Sequence, residues 1–212
     1  MVFITAYTKG NEYERAALKL EQNFIKYKVS YKLFGYQDHG DWKLNTMQKP
    51  KFIMEALKLF PNDDITWIDA DAVILKDPEF LKDLQFKDYD ICCHYLSSEY
   101  NSHELLTGTI AFKNKKKVRN LIDVWSKKRG FSDQYEQSIL QNLLERKFRN
   151  KFSILPMPAE YIKIKPHDVS DISELKCVIG HDQLSRKYRK NKKRSLFVKI
   201  TEKILRAFNI II

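Results

Sequence analysis

Long apolar runs are missing from this sequence. Its 212 residues contain no stretch approaching the roughly 18 apolar positions that read as a membrane span. The first residues also lack the basic segment followed by an apolar core that marks a secretory leader. The expectation is a chain with neither signal peptide nor transmembrane anchor. Glycine and proline are scarce, six of each, which excludes fibrous and low-complexity classes. Cysteine is scarcer still. Three residues, two of them the adjacent Cys92 and Cys93, build no disulfide framework and fit a reducing, cytoplasmic compartment. Internal repeats are absent.

What is present suits a globular domain. At 43% hydrophobic and 13% aromatic, the chain has enough apolar surface for one sizeable core. The reading is one domain over residues 1–190. A basic segment and an amphipathic helix follow at 191–212, packed on that domain or leading to others. A monomer is expected. The net charge of +11 is concentrated: seven of those charges sit in RKYRKNKKR (Arg186 to Arg194), leaving +4 elsewhere. Such a tract suits an anionic surface, a nucleic acid or a diphosphate, or is simply a solvated face. No specific nucleic-acid partner is assigned to it.

Hydrophobic spacing places the elements. VFITAY (Val2 to Tyr7) reads as a buried strand, and Tyr13, Ala17, Leu20 and Phe24 then recur at helical spacing. SYKLFGY (Ser30 to Tyr36) reads as a second strand. Pro50 opens a helix carrying Ile53, Ala56, Leu57 and Phe60, stopped by the turn residues 61–64. ITWID (Ile65 to Asp69) is a third strand. Two strand–helix units feeding a third strand predict an α/β sheet with parallel strands at its centre. DICCHYL (Asp90 to Leu96) and LTGTIAF (Leu106 to Phe112) add strands. Val118, Leu121, Ile122 and Trp125 then form one helix face. Ser132 or Asp133 is expected to cap another helix carrying Ile139, Leu140 and Leu143. FSIL, YIKI and CVIG are short strand candidates.

The chemistry concentrates at Asp69 and Asp71, where a buried strand runs out into a loop. Ligands of open α/β sheets bind beyond the carboxyl ends of the strands. Two carboxylates separated by one small residue can offer oxygens to one hard cation, such as Mg²⁺ or Mn²⁺. A cation there can neutralise a departing diphosphate. Two other readings compete. Haloacid-dehalogenase-like phosphatases also carry an Asp-x-Asp after an apolar strand, but in their first strand and with an acidic pair downstream, which this chain lacks. A basic nucleic-acid-binding module would explain the Arg186–Arg194 tract but not the Asp-x-Asp. His94, beside two cysteines, has no second pair at zinc-site spacing and is read as packing.

ITWIDADAVILKDP resembles the Asp-x-Asp segment of GT-A glycosyltransferases, and other pieces are similar in the same order. These are TAYT (Thr5 to Thr8), KPKFIMEAL (Lys49 to Leu57), LTGTIAFKN (Leu106 to Asn114), SDQYEQSIL (Ser132 to Leu140) and GHDQLSR (Gly180 to Arg186). The resemblance covers roughly residues 1–190. It implies a Rossmann-related α/β fold with a mixed, mainly parallel sheet flanked by helices. It also implies transfer of a hexose or deoxyhexose from a UDP-sugar, with Mn²⁺ or Mg²⁺, to a hydroxyl of a glycan or of a glycoprotein such as a viral capsid protein. Residue by residue, Asp71 would bind metal, and Asp69 metal or the ribose hydroxyls. His181 would be the third ligand, losing that role as pH falls through about 6 to 7 if its pKa is ordinary. Thr5, Ala6, Tyr7 and Thr8 would border base and ribose. Lys49, with Lys51 near it, Gly108, Thr109, Gln134 and Arg186 would meet the donor. Asp133 would be the catalytic carboxylate, and Ser185 and Arg189 further diphosphate contacts.

Overall fold

A computed structural model describes residues 1–97, 103–128, 135–164, 176–182 and 184. Residues 1–182 form one compact unit and 183–212 a second. The sheets described below and the candidate site lie in the first. The expected helix near the C-terminus and the Arg186–Arg194 tract lie outside the described residues.

The central sheet has six strands in the order β2-β1-β3-β6-β5-β7. These are β1 (Val2–Thr8), β2 (Tyr31–Tyr36), β3 (Ile65–Ile68), β5 (Ile91–Ser97), β6 (His103–Phe112) and β7 (Ile154–Pro156). β1 runs parallel to β2 and β3, and β7 parallel to β5, while β6 is antiparallel to β3 and β5. The sheet is therefore mixed and mainly parallel. Its parallel strands end at one edge, where Thr8 and Asp69 lie.

Helices cover both faces because each strand presents apolar residues on both. In β1, Val2 and Ile4 join one core cluster and Phe3 the other. On the first face pack α3 (Lys49–Leu59), α5 (Lys116–Lys127) and α6 (Glu136–Asn142). Trp125 of α5 is fully buried there, 6.5 Å from the Phe112 ring, and its indole N–H donates to the Glu136 carbonyl at 3.0 Å. Truncating such an anchor costs about 3–5 kcal/mol. On the second face lie α1 (Glu12–Lys26), with Ala17, Leu20 and Phe24 buried, α4 (Glu79–Asp83), and a small sheet, β4-β9-β8. That sheet comprises β4 (Ala72–Ile74), β8 (Lys163–Ile164) and β9 (Ile179–His181). Among the described residues no helix is long and apolar enough to cross a membrane.

Local chemistry explains the element ends. Asn11 caps α1 by accepting from the Tyr13 N–H at 2.9 Å, and Pro50 sits in the first turn of α3, where its missing N–H costs nothing. The expected capping of α6 is corrected. Ser132 and Asp133 lie outside the described residues, and the helix begins at Glu136 with Tyr135 in the cap position and no side-chain cap bond. His94 follows a bulge in β5 and bonds the Met157 carbonyl at 2.9 Å, a packing role.

Candidate active site

The site is built where β3 stops. The Asp69 N–H bonds the Gly108 carbonyl at 2.8 Å, and the Ala72 N–H returns to the Asp69 carbonyl at 3.0 Å. This tight turn leads from β3 directly into β4. β4 then pairs antiparallel with β9, with Ala72 opposite His181, and the Asp182 N–H bonds the Asp71 carbonyl at 3.2 Å. Two strands from distant parts of the chain thus carry Asp69, Asp71 and His181 to one place. One ligand atom from each lies within 4.8 Å of the others.

His181 is buried, with its Nε2 3.0 Å from the Thr109 hydroxyl. Burial lowers its pKa to about 4, more than Asp69 raises it, so the imidazole is neutral near pH 7 and fit to ligate. The expected protonation of His181 between pH 6 and 7 is therefore corrected to a window nearer pH 4. Burial withholds the proton that an ordinary imidazole would take up there. Gly108 is explained by the same ring. A Cβ at that position would stand 2.9 Å from His181 Cε1 and 3.1 Å from Nδ1. Glycine is required here by space, since the imidazole occupies the volume of a side chain.

Beside the triad lies a buried ion cluster. Lys49, at the start of α3, reaches Asp69 Oδ1 at 3.0 Å and Glu136 Oε1 at 2.8 Å. It also donates to the carbonyl and hydroxyl oxygens of Thr107, both at 3.1 Å. Burial alone would drive the Lys49 pKa down, but Asp69 and Glu136 outweigh it and hold the ammonium charged. For Glu136, burial prevails over Lys49 and the pKa is raised. The Trp67 indole N–H donates to Asp69 Oδ1 at 2.7 Å. Both donors land on Oδ1, leaving Oδ2 as the oxygen outside this network.

The remaining expected site residues divide. Thr5 is fully buried with a hydroxyl that makes no hydrogen bond, Ala6 and Tyr7 are half-buried, and Thr8 accepts from the Asn11 amide at 2.6 Å. All four lie on the strand whose end adjoins Asp69. Lys51 is exposed. Thr109 is buried, and its hydroxyl lies 3.0 Å from His181 Nε2. Asp133, Gln134, Ser185, Arg186 and Arg189 lie outside the described residues. Sequence reasoning passed over Glu136 and Thr107. A signal for Glu136 existed: it precedes Ile139 and Leu140 by three and four positions, which puts a carboxylate on the buried face of α6.

No protein-family model matches the sequence, and no curated protein matches it. Solved structures do. A glycosyltransferase involved in the glycosylation of the major capsid of PBCV-1 aligns with a TM-score of 0.66 at 14% identity, over 90% of this chain and 98% of its own. The galactosyltransferase LgtC, solved with donor and acceptor sugar analogues, gives 0.53 at 9% identity, over 85% and 86%. The bifunctional glycosyltransferase WbbM gives 0.52 at 10% identity, over 86% of this chain and 45% of its own. At such identities the shared property is architecture, and the chain has the GT-A glycosyltransferase fold.

Proposed function

We propose that this protein is a metal-dependent glycosyltransferase that moves a sugar from a UDP-sugar to an acceptor hydroxyl on a glycan or glycoprotein. The observation that carries the reading is the convergence of Asp69, Asp71 and His181 at the strand ends of a GT-A fold. The donor set fits a divalent ion. Two carboxylates and a neutral imidazole suit Mn²⁺ or Mg²⁺. Ligand atoms around an octahedral ion at about 2.1 Å lie roughly 3 to 4.2 Å apart, so small side-chain rotations close the set. Bound there, the ion would neutralise the diphosphate as it leaves.

The chain's own residues do the rest. Lys49 and Trp67 fix the Asp69 carboxylate before any ligand arrives, and Thr109 fixes the His181 ring. The strand-end position of Thr5 to Thr8 suits a nucleoside. The unbonded Thr5 hydroxyl is a buried polar group in need of a partner. Glu136, held by Lys49 and Thr107, is placed to orient hydroxyls of the transferred sugar. Such preorganisation lowers the barrier by fixing the reacting groups rather than by adding chemistry.

Calorimetry with UDP-sugars tests this. Binding is expected with Mn²⁺ or Mg²⁺ and at least tenfold weaker binding with EDTA, together with slow donor hydrolysis when no acceptor is present. Equal affinity in both conditions overturns the metal role, and no binding of any UDP-sugar overturns the donor assignment.

A further inference from the structure

One arc of the site's mouth is aromatic and has no part in holding metal or diphosphate. Trp42, the first residue of α2 (Trp42–Thr46), stands half-buried and meets the Tyr135 ring edge-on, with centroids 5.4 Å apart and planes at 63°. Tyr135 is 48% exposed and directly precedes Glu136, the carboxylate on Lys49. On its other side Trp42 approaches the phenol of Tyr13. Burial, and then the charges of Asp71 and Asp69, raise the pKa of that phenol. Its hydroxyl is buried without a well-formed hydrogen bond. Trp42 is thus linked through Tyr135 and the adjoining Glu136 to Lys49 and Asp69.

The segment carrying Trp42 is fixed in advance. Asp41 caps α2 by accepting from the Leu44 N–H at 3.0 Å. The Asn45 side chain accepts from the His39 N–H at 3.0 Å and donates to Asp38 at 2.8 Å. The Tyr36 hydroxyl donates to the Asn45 carbonyl at 3.2 Å. A ligand landing on Trp42 would have little loop ordering to oppose it.

The shape and chemistry of this corner select its occupant. A pyranose has a face of C–H groups, which covers an aromatic ring, and a rim of hydroxyls, which donate to an exposed carboxylate such as Asp41. Two rings at 63° make a corner that receives a puckered, thick ring. A flat base stacks best on one face or between parallel faces. We propose that the Trp42–Tyr135 corner is the acceptor subsite and takes a carbohydrate acceptor, one pyranose ring resting on the indole with a hydroxyl directed into the site. This rests on the transferase reading above and adds to it the residues that receive the acceptor.

The test uses the indole N–H signals of the three tryptophans in the ¹⁵N-labelled protein. Trp67 and Trp125 donate to Asp69 and Glu136 from buried positions, so Trp42 is the reporter at the mouth. With UDP and the diamagnetic Mg²⁺ present, methyl pyranosides of glucose, galactose, mannose, xylose and fucose are titrated to millimolar concentration. At least one should shift the Trp42 signal in a saturable way. Tyr135→Ala, a change at an exposed residue, should weaken that pyranoside at least tenfold, and Trp42→Phe should weaken it less than Trp42→Ala. UDP affinity, measured by calorimetry, should change less than twofold in each. A Trp42 shift produced by UDP alone, with none from pyranosides, would make the corner a base platform and overturn the proposal. Unchanged pyranoside affinity in both alanine variants would overturn it too, as would UDP binding with no pyranoside response. Failure of UDP to bind, with the pyranoside response intact, would count against the transferase reading and leave the carbohydrate corner standing.

Discussion

Two clusters of lysines and carboxylates lie at opposite ends of the central sheet, and their charge balances differ. At the edge where the parallel strands begin, Asp64, Asp88 and Asp90 are met by Lys113, Lys115 and Lys117. Buried Asp90 also accepts from the Ser153 N–H at 2.8 Å. At the opposite edge a single lysine, Lys49, serves both Asp69 and Glu136. Asp71 stands beside them, and His181 is neutral. Glu136 Oε2 is buried without a hydrogen bond. The first cluster gives each carboxylate a lysine, although the buried Asp90 Oδ1 has no well-formed hydrogen bond, and it clasps the starts of β5 and α5 to the approach to β7. Among the described residues one lysine meets two carboxylates in the second, where the first sets three lysines against three. The first cluster opens to solvent, with Asp88 exposed and Lys115 and Lys117 half-exposed, whereas Lys49 and Glu136 of the second are buried.

The sharpest way to break this contrast is Lys49→Met. It leaves Asp69 and Glu136 without a counter-charge in a buried place, and breaking such a pair from one side costs about 3–5 kcal/mol. Urea unfolding should show the loss, and adding Glu136→Gln should recover part of it, since the two effects are coupled. Asp71→Asn should act on function instead. Metal-dependent donor hydrolysis should fall at least about 100-fold, near 2.7 kcal/mol of barrier. Unfolding without metal should move by less than about 0.5 kcal/mol. Gly108→Ala pushes a methyl into the His181 ring. It should cost about 1–3 kcal/mol of stability and lower Mn²⁺ affinity roughly tenfold, or about 1.4 kcal/mol, read by titration with and without UDP.

Asp90→Asn should have the smallest effect, about 1–2 kcal/mol at pH 7, because Lys115 and Lys117 are half-exposed and turn to water. Burial would raise the Asp90 pKa, but Lys117, the Ser153 N–H and Lys115 together lower it. A carboxylate depressed in the folded state stabilises above its unfolded pKa of about 3.9 and loses that contribution as pH falls through the lower folded value. The gap between wild type and variant should therefore be full at pH 7 and shrink below about pH 4. A gap that widens in acid would mean that Asp90 is not the matched partner described.

The elements legible in sequence were those whose signal is local. The spacing of Ala17, Leu20 and Phe24, and of Val118, Leu121, Ile122 and Trp125, gave helices on the right faces because helical periodicity requires no distant partner. The run ITWID gave β3 because a strand buried on both faces is apolar throughout. The Asp-x-Asp was read at the strand end for the same reason. What stayed hidden depends on partners far along the chain. The pairing of β4 with β9 joins residues near 72 to residues near 181, and three-residue strands leave almost no pattern. Trp42 was not singled out in the sequence, and its ring partner Tyr135 lies 93 positions further along the chain. The contact between Thr109 and the His181 ring likewise joins positions 72 apart, which no spacing within β6 reveals.

The antiparallel pairing of Ala72 with His181 also has a meaning during synthesis. Asp69 and Asp71 emerge from the ribosome early, on a strand that can join the nascent sheet at once. Their third partner arrives only when most of the chain has been made. A product halted before β9 keeps the two carboxylates without the imidazole that completes the set. On the metal-centre reading proposed above, tight metal binding would be a certificate of completion, open only to molecules translated through His181.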